Sequence, residues 1–247
     1  MKRPVPFPLL AAVCLLIPGE PCAGTGEGEE VLPFTALIEG KQSCAGALIA
    51  ENWVLTAAHC PTKDNPKVII GAHCTSQNRK CGHIFSIKKA ISYPCFDSES
   101  YEGDLQLLQL AGKVPKTKAL RTLPLPKPEE VSPHTRCHVA GWRSTRRDSS
   151  KLSKSLRELN VTVIDQKMCN NNKHYNFSQR IVDHSMICAG GTGNSCDVVS
   201  GSPLICEGIF RGVSSFRECC GPKKPGVYTL LIRKYLDWIR KTMAGAA

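Results

Sequence analysis

The chain has 247 residues, 14 of them cysteines, and a formal net charge of +11. It is long enough to bury a sizeable core, either as one large all-β unit or as two small subdomains. Outside the first residues, no apolar run approaches the roughly 20 residues of a membrane-spanning helix, so no membrane span is expected.

The first 24 residues have the pattern of a secretory signal. Lys2 and Arg3 precede the apolar run of residues 9–17, and the small residues Ala23 and Gly24 follow it. A Gly- and Glu-rich linker occupies residues 25–30. We therefore expect a protein that is secreted or held in a secretory granule.

The cysteines fit a disulfide framework in that compartment. A zinc site is the rival interpretation, but Cys219 and Cys220 are adjacent and no two histidines have zinc-finger spacing. No metal and no cofactor are expected.

Short β-prone runs separated by turn residues begin near residue 31, which favours a sandwich or barrel. A Pro- and Lys-rich segment, residues 115–133, divides them into two halves. Near the end, Leu231, Tyr235, Ile239 and Met243 recur at helical spacing and predict an amphipathic helix packed on the second half.

Three residues in different segments could form a hydrolytic triad. Ser200 lies between two cysteines in a Gly-containing stretch, His59 precedes Cys60, and Asp104 opens an apolar run. A nucleophilic serine needs a base and an acid that orients that base, and His, Asp, Ser is one of the chain orders in which the triad recurs. Singly, such a serine is most often a turn residue and such a histidine structural; together they favour nucleophilic catalysis.

The segments around these residues resemble the chymotrypsin-like serine proteases, in particular the granzymes. The specific stretches are residues 44–60, 101–110, 138–142, 200–216 and 225–228, and the resemblance runs from about residue 33 to residue 247. It implies an all-β fold of two six-stranded antiparallel β-barrels with a C-terminal α-helix. The protease domain would be residues 25–247, with barrels over about 31–122 and 123–230 and the helix over about 231–244.

The resemblance also implies roles for single residues. His59 would be the general base and acid, Asp104 its orienting partner and Ser200 the nucleophile, acting on a protein or peptide substrate. The N–H groups of Val198 and Ser200 would form the oxyanion hole. The specificity pocket would contain Asn194, Ser215, Arg217 and Gly226.

Several of these positions depart from the pattern of active relatives. Val198-Val199 replaces the Gly-Asp pair before the nucleophile, and nothing before Cys44 resembles the Ile-Val-Gly-Gly-like segment whose new N-terminus pairs with that Asp. A β-branched residue at 198 disfavours positive φ and would turn the peptide away. In the pocket, Asn194 replaces the Asp that selects basic side chains, and Arg217 replaces a Gly. Arg143 stands near the cleft, where the family usually has a Gly.

The disulfides implied by the resemblance are Cys44–Cys60, Cys137–Cys206, Cys169–Cys188, and Cys196 with Cys219 or Cys220; the spacing favours Cys219. Cys74 and Cys81 would close a surface loop. Cys95 stands where a relative carries the cysteine that joins two copies, so a disulfide-linked homodimer is a further hypothesis.

Two functions remain open. One is a secreted serine endopeptidase, and a variant of it is a protease that a partner activates by ordering the cleft. The other is a non-catalytic, azurocidin-like protein whose basic surface binds heparin-like glycans or microbial surfaces. The basic clusters that would form this surface are Arg143, Arg146, Arg147, Lys151, Lys154, Arg157, Lys223 and Lys224. Asn160 and Asn176 fit the glycan acceptor pattern.

Overall fold

The computed structural model describes residues 32–71, 82–144, 152–172, 174–176, 184–191, 198–216 and 224–245. For residues 142–144, 152–155 and 157 it describes the backbone alone. The predicted signal and linker lie outside these ranges, as do Cys74, Cys81, Asn194, Cys196, Arg217, Cys219 and Cys220.

The first half of the chain forms one antiparallel sheet. Its strands are β1 (Thr35–Glu39), β2 (Cys44–Ala50), β3 (Trp53–Thr56), β4 (Lys67–Ile70), β5 (His83–Phe85), β6 (Ile87–Ser92) and β7 (Gln106–Leu110). Their order is β5-β4-β1-β2-β3-β7-β6. Because only Ser86 separates the two edge strands, β5 and β6, the sheet curls until its edges meet at that residue.

The second half forms a closed six-stranded barrel in the order β10-β13-β12-β11-β8-β9. Its strands are β8 (Arg136–Ser144), β9 (Leu152–Ile164), β10 (Met186–Gly190), β11 (Pro203–Cys206), β12 (Ile209–Ser214) and β13 (Gly226–Leu230). A short helix, α1 (Gln166–Cys169), follows β9, and Asp165 caps it by accepting the N–H groups of Lys167 and Met168. The fold of two barrel-like sheets confirms the predicted all-β class.

Strand alternation gives the first barrel two apolar faces. In β1, Ala36 and Ile38 pack in the barrel's own core, whereas Leu37 points the other way. Leu37 contributes to what we call the inter-barrel cluster: Leu32, Leu37 and Ala45 on the first-barrel side, and Ala140, Leu156 and Val199 on the second. This cluster joins the barrels beside Ser200.

The C-terminal helix, α2 (Arg233–Met243), forms as predicted. It shares an apolar cluster with Ile205, Phe210 and Val213 of the second half, as predicted, and it packs on the first half as well. Tyr235 makes an edge contact with Tyr93 of the first half, with ring centroids 4.9 Å apart, and Trp238 contacts the same ring at 5.3 Å. The apolar stripe of the helix is long enough to contact the cores of both barrels, so the helix bridges them.

Candidate active site

His59 lies just beyond β3, where two features fix its backbone. Its own N–H donates to Asp104 Oδ1 at 2.9 Å. The next residue, Cys60, forms a disulfide with Cys44 at the start of β2. The imidazole is therefore presented from a short, tethered segment, with 19% of the side chain exposed.

Asp104 is fully buried two residues before the start of β7, after a turn in which Gly103 has a φ of +69°. His59 Nδ1 lies 2.7 Å from its Oδ2, and the Ser215 hydroxyl donates to the same oxygen. A carboxylate only accepts hydrogen bonds, so Nδ1 is a protonated ring nitrogen, and in the neutral imidazole Nε2 then has a free lone pair. This tautomer can take a proton from a hydroxyl.

Ser200 is placed by backbone contacts with the first barrel. Its carbonyl accepts the Ala45 N–H at 2.8 Å, and the following N–H, of Gly201, donates to Ser214 O at 2.8 Å. Gly201 has a φ of +84°, and a Cβ there would lie 2.1 Å from Ala45 O and 2.4 Å from Thr56 Oγ1. Only glycine therefore lets this turn sit against the strand that leads to His59.

Of the three predicted residues, the structure joins His59 and Asp104 directly. Ser200 is half-buried, and among the described residues its hydroxyl makes no hydrogen bond to the imidazole. Catalytic hydrogen bonds in unliganded sites are often long and shorten when substrate binds.

Sequence reasoning placed Ser215 in the specificity pocket and missed its bond to Asp104. Its hydroxyl is buried on the carboxylate, and its N–H donates to Val227 O at 3.0 Å. The Ser214 carbonyl accepts the Gly201 N–H, and the next residue, Ser215, donates to Asp104. Residues 214–215 therefore connect the turn at Ser200 to the Asp104 carboxylate. A serine at the end of a strand carries no sequence signal for this role.

Sequence reasoning also missed Tyr101, which has a φ of +62°. Its ring makes an edge contact with His59 at 5.6 Å and lies 5.1 Å from the ring of Phe216. Two residues before Asp104, Glu102 accepts a hydrogen bond from Lys234 of α2 at 2.9 Å, which raises the pKa of that lysine. The loop before Asp104 is therefore fixed by the ring contacts of Tyr101 on one side and by the Glu102–Lys234 hydrogen bond on the other.

Both valines before Ser200 are buried. Val198 packs with the core of the second barrel, whereas Val199 belongs to the inter-barrel cluster. Of the predicted pocket, the structure describes Ser215 and Gly226; a Cβ at Gly226 would lie 3.0 Å from the Tyr228 hydroxyl. Asn194 and Arg217 lie outside the described residues.

Three of the implied disulfides form: Cys44–Cys60, Cys137–Cys206 and Cys169–Cys188. Cys95 is exposed and unpaired within the described part of the chain. No helix in that part is long and apolar enough to cross a bilayer.

Comparisons with known proteins agree with this geometry. The trypsin family profile matches residues 22–239. Bovine granzyme A is 58% identical over 258 aligned positions, covering 100% of both chains. Human granzyme M is 37% identical, covering 89% of each chain. A solved structure titled "Structure of GrC" superposes with a TM-score of 0.76 at 31% identity, covering 86% of this chain and 94% of that one. The chain belongs to the trypsin family of chymotrypsin-like serine proteases.

Proposed function

We propose that the protein is a granzyme A-like serine endopeptidase that hydrolyses peptide bonds through His59, Asp104 and Ser200. The observation that carries this proposal is the pair between His59 Nδ1 and the fully buried Asp104 carboxylate, 2.7 Å apart. Such a pair fixes the tautomer and orientation of the imidazole and stabilises the cation that forms during reaction. Family membership supports the same class of reaction.

The chemistry follows from the free lone pair on Nε2. As Ser200 Oγ bonds to the scissile carbonyl carbon, its proton passes to Nε2. The C–N bond then breaks, the departing amine takes that proton, and an acyl ester remains on Ser200. Water attacks this ester with His59 again as base, which releases the acid and restores the serine.

Hydrolysis is expected to be slow. The N–H groups of Val198 and Ser200 are the proposed oxyanion donors, and loss of one such donor costs about 10²–10³ in rate. The burial of the Val198 side chain in the second-barrel core supports a peptide turned away from the cleft. The resemblance to the family assigns Asn194 and Arg217 to the specificity pocket. On that assignment a preference for Lys or Arg side chains is not expected, and Arg217 would favour acidic groups.

A second candidate is the non-catalytic, azurocidin-like protein that binds polyanions, and a net charge of +11 favours it. Most of its basic clusters lie outside the described side chains. The exception is Lys224, which lies over the Tyr175 ring at 5.4 Å. Activation by a partner that orders the cleft remains a variant of the first proposal.

A cleavage assay separates the candidates. Purified wild-type protein and a Ser200→Ala variant would be incubated with the same peptide library, and the products identified by mass spectrometry. Cleavage by the wild type alone is the result expected of an endopeptidase. Equal product patterns from both proteins, with retention on heparin that falls steeply with salt, would instead establish the binding protein.

We further propose a disulfide-linked homodimer through Cys95, supported by the exposure of that thiol. Wild-type protein should run at twice the mass of a Cys95→Ser variant on a non-reducing gel. Equal masses would contradict it.

The remaining proposals concern processing. Residues 1–24 are removed as a signal, the domain extends over residues 25–247 with the barrel boundaries given above, and the product is secreted or stored in granules. Asn160 and Asn176 are both exposed, which supports glycosylation at these sites.

A further inference from the structure

Val199 occupies an unusual place for a residue next to a proposed nucleophile. Its side chain is 6% exposed and packs into the inter-barrel cluster, where Leu37 and Ala45 approach from the first barrel and Ala140 and Leu156 from the second. The Val199 side chain is therefore buried in the interface between the two barrels.

The same contact fixes the backbone of Ser200. Ala45 packs in the cluster with Val199, and its N–H donates to Ser200 O at 2.8 Å. Immediately after Ser200, Gly201 is held by its bond to Ser214 O. Ser200 therefore lies between an apolar anchor on one side and a hydrogen-bonded turn on the other.

An apolar anchor can replace an ionic one without loss of stability. Removing one partner of a buried ion pair leaves a costly unpaired charge, whereas replacing the pair with packed apolar groups is often neutral or stabilising. The cluster partners of Val199 are hydrophobic side chains from both barrels. The valine side chain itself therefore needs no charged partner from a new N-terminus.

We infer that Val199 is a positioning residue: its packing between the barrels holds Ser200 in place, so the site needs no cleavage-generated N-terminus to assemble. This inference rests on the proposed function of Ser200 as the nucleophile. In active relatives the site assembles when cleavage creates a new N-terminus that pairs with an Asp. Here the packing of Val199 in the inter-barrel cluster would form as the chain folds, without cleavage.

The test compares Val199→Ala and Val199→Asp with Val161→Ala and Val161→Asp. Val161 is a matched control because it is also buried in the second barrel, at 3% exposure, but packs in a different cluster. Two quantities would be measured on folded protein: amide hydrogen exchange at Ala45 and Gly201, and the maximal rate at which a fluorophosphonate labels Ser200.

The Val199 variants should speed exchange at both amides by at least about tenfold over the matched Val161 variants. Val199→Asp should slow labelling by about 100-fold, since an unpaired buried charge favours a displaced turn. Extra Gly-Ser residues ahead of the mature N-terminus should change the wild-type rate less than about twofold, because no terminal amine enters the site. If either aspartate variant does not fold, the same measurements on Val199→Ala and Val161→Ala test the inference.

Equal exchange in the Val199 and Val161 variants would overturn the inference, as would a large loss of labelling on N-terminal extension. Failure of the proposed function looks different. In that case wild-type Ser200 would not be labelled at all, while the exchange at Ala45 and Gly201 would still distinguish the two sets of variants.

Discussion

Gly201→Ala should disable the site and destabilise the protein more than a matched glycine substitution. Gly201 has a φ of +84°, and the added Cβ would lie 2.1 Å from Ala45 O and 2.4 Å from Thr56 Oγ1. Both atoms belong to the packed wall of the first barrel, so neither can withdraw cheaply. The left-handed conformation alone costs an alanine about 1–2 kcal/mol, and overpacking adds about 1–3 kcal/mol. We expect a total of about 2–5 kcal/mol.

Gly208 provides the control, since its φ is +77° and nothing lies within 4 Å of its Cβ position. Gly208→Ala should therefore cost about 1–2 kcal/mol, the conformational part alone. Urea denaturation would measure both stabilities, and fluorophosphonate labelling would measure the site. We expect Gly208→Ala to label like wild type and Gly201→Ala to label far more slowly. Equal stability losses and equal labelling in the two variants would show that the turn at Gly201 tolerates a side chain.

Three further predictions concern the support of the site. Ser215→Ala removes a hydrogen bond from a buried carboxylate, so the free energy of unfolding should fall by about 1–3 kcal/mol in urea and labelling should slow; unchanged values would show that the bond contributes nothing. Removing the disulfide Cys44–Cys60 or Cys169–Cys188 by double alanine substitution should cost about 3 kcal/mol in each case, because their sequence separations of 16 and 19 are similar. Only the first pair adjoins His59, so labelling should fall only there, and an equal fall with both pairs would contradict this. The hydroxyl of Tyr235 is buried, and this burial raises the pKa of Tyr235 although Lys234 and the Ser185 hydroxyl act in the opposite direction. A raised folded-state pKa means that this residue's contribution to stability is complete below the unfolded pKa of about 10 and is lost as pH rises through the folded value. Tyr235→Phe should accordingly lose less stability than wild type between pH 7 and pH 11; a steeper alkaline loss than wild type would contradict this assignment.

The sequence predicted the parts of this protein that depend on local pattern. Short β-prone runs between turn residues indicated the strands, helical spacing at Tyr235 and Ile239 indicated α2, and the segments around His59 and Asp104 identified the pair that the structure joins. Each of these signals lies within about ten consecutive residues.

Interactions between distant segments were not predictable. The Ser215–Asp104 hydrogen bond joins residues 111 positions apart, and no local sequence pattern near Ser215 predicts it. The packing of α2 on Tyr93 depends on where the first barrel ends in space rather than on the apolar stripe of the helix. Val199 was recognised as apolar from sequence, but its neighbours Leu37 and Leu156 come from strands of different barrels.

We propose above all that Ser200 is a nucleophile served by His59 and Asp104. Fluorophosphonate treatment of the purified protein, followed by mass spectrometry of the peptide that contains residue 200, tests it directly. We expect a single modification on Ser200, absent in Ser200→Ala and slowed by roughly 10⁴-fold in Asp104→Asn. No modification of the wild type, or modification that persists in Ser200→Ala, would contradict it.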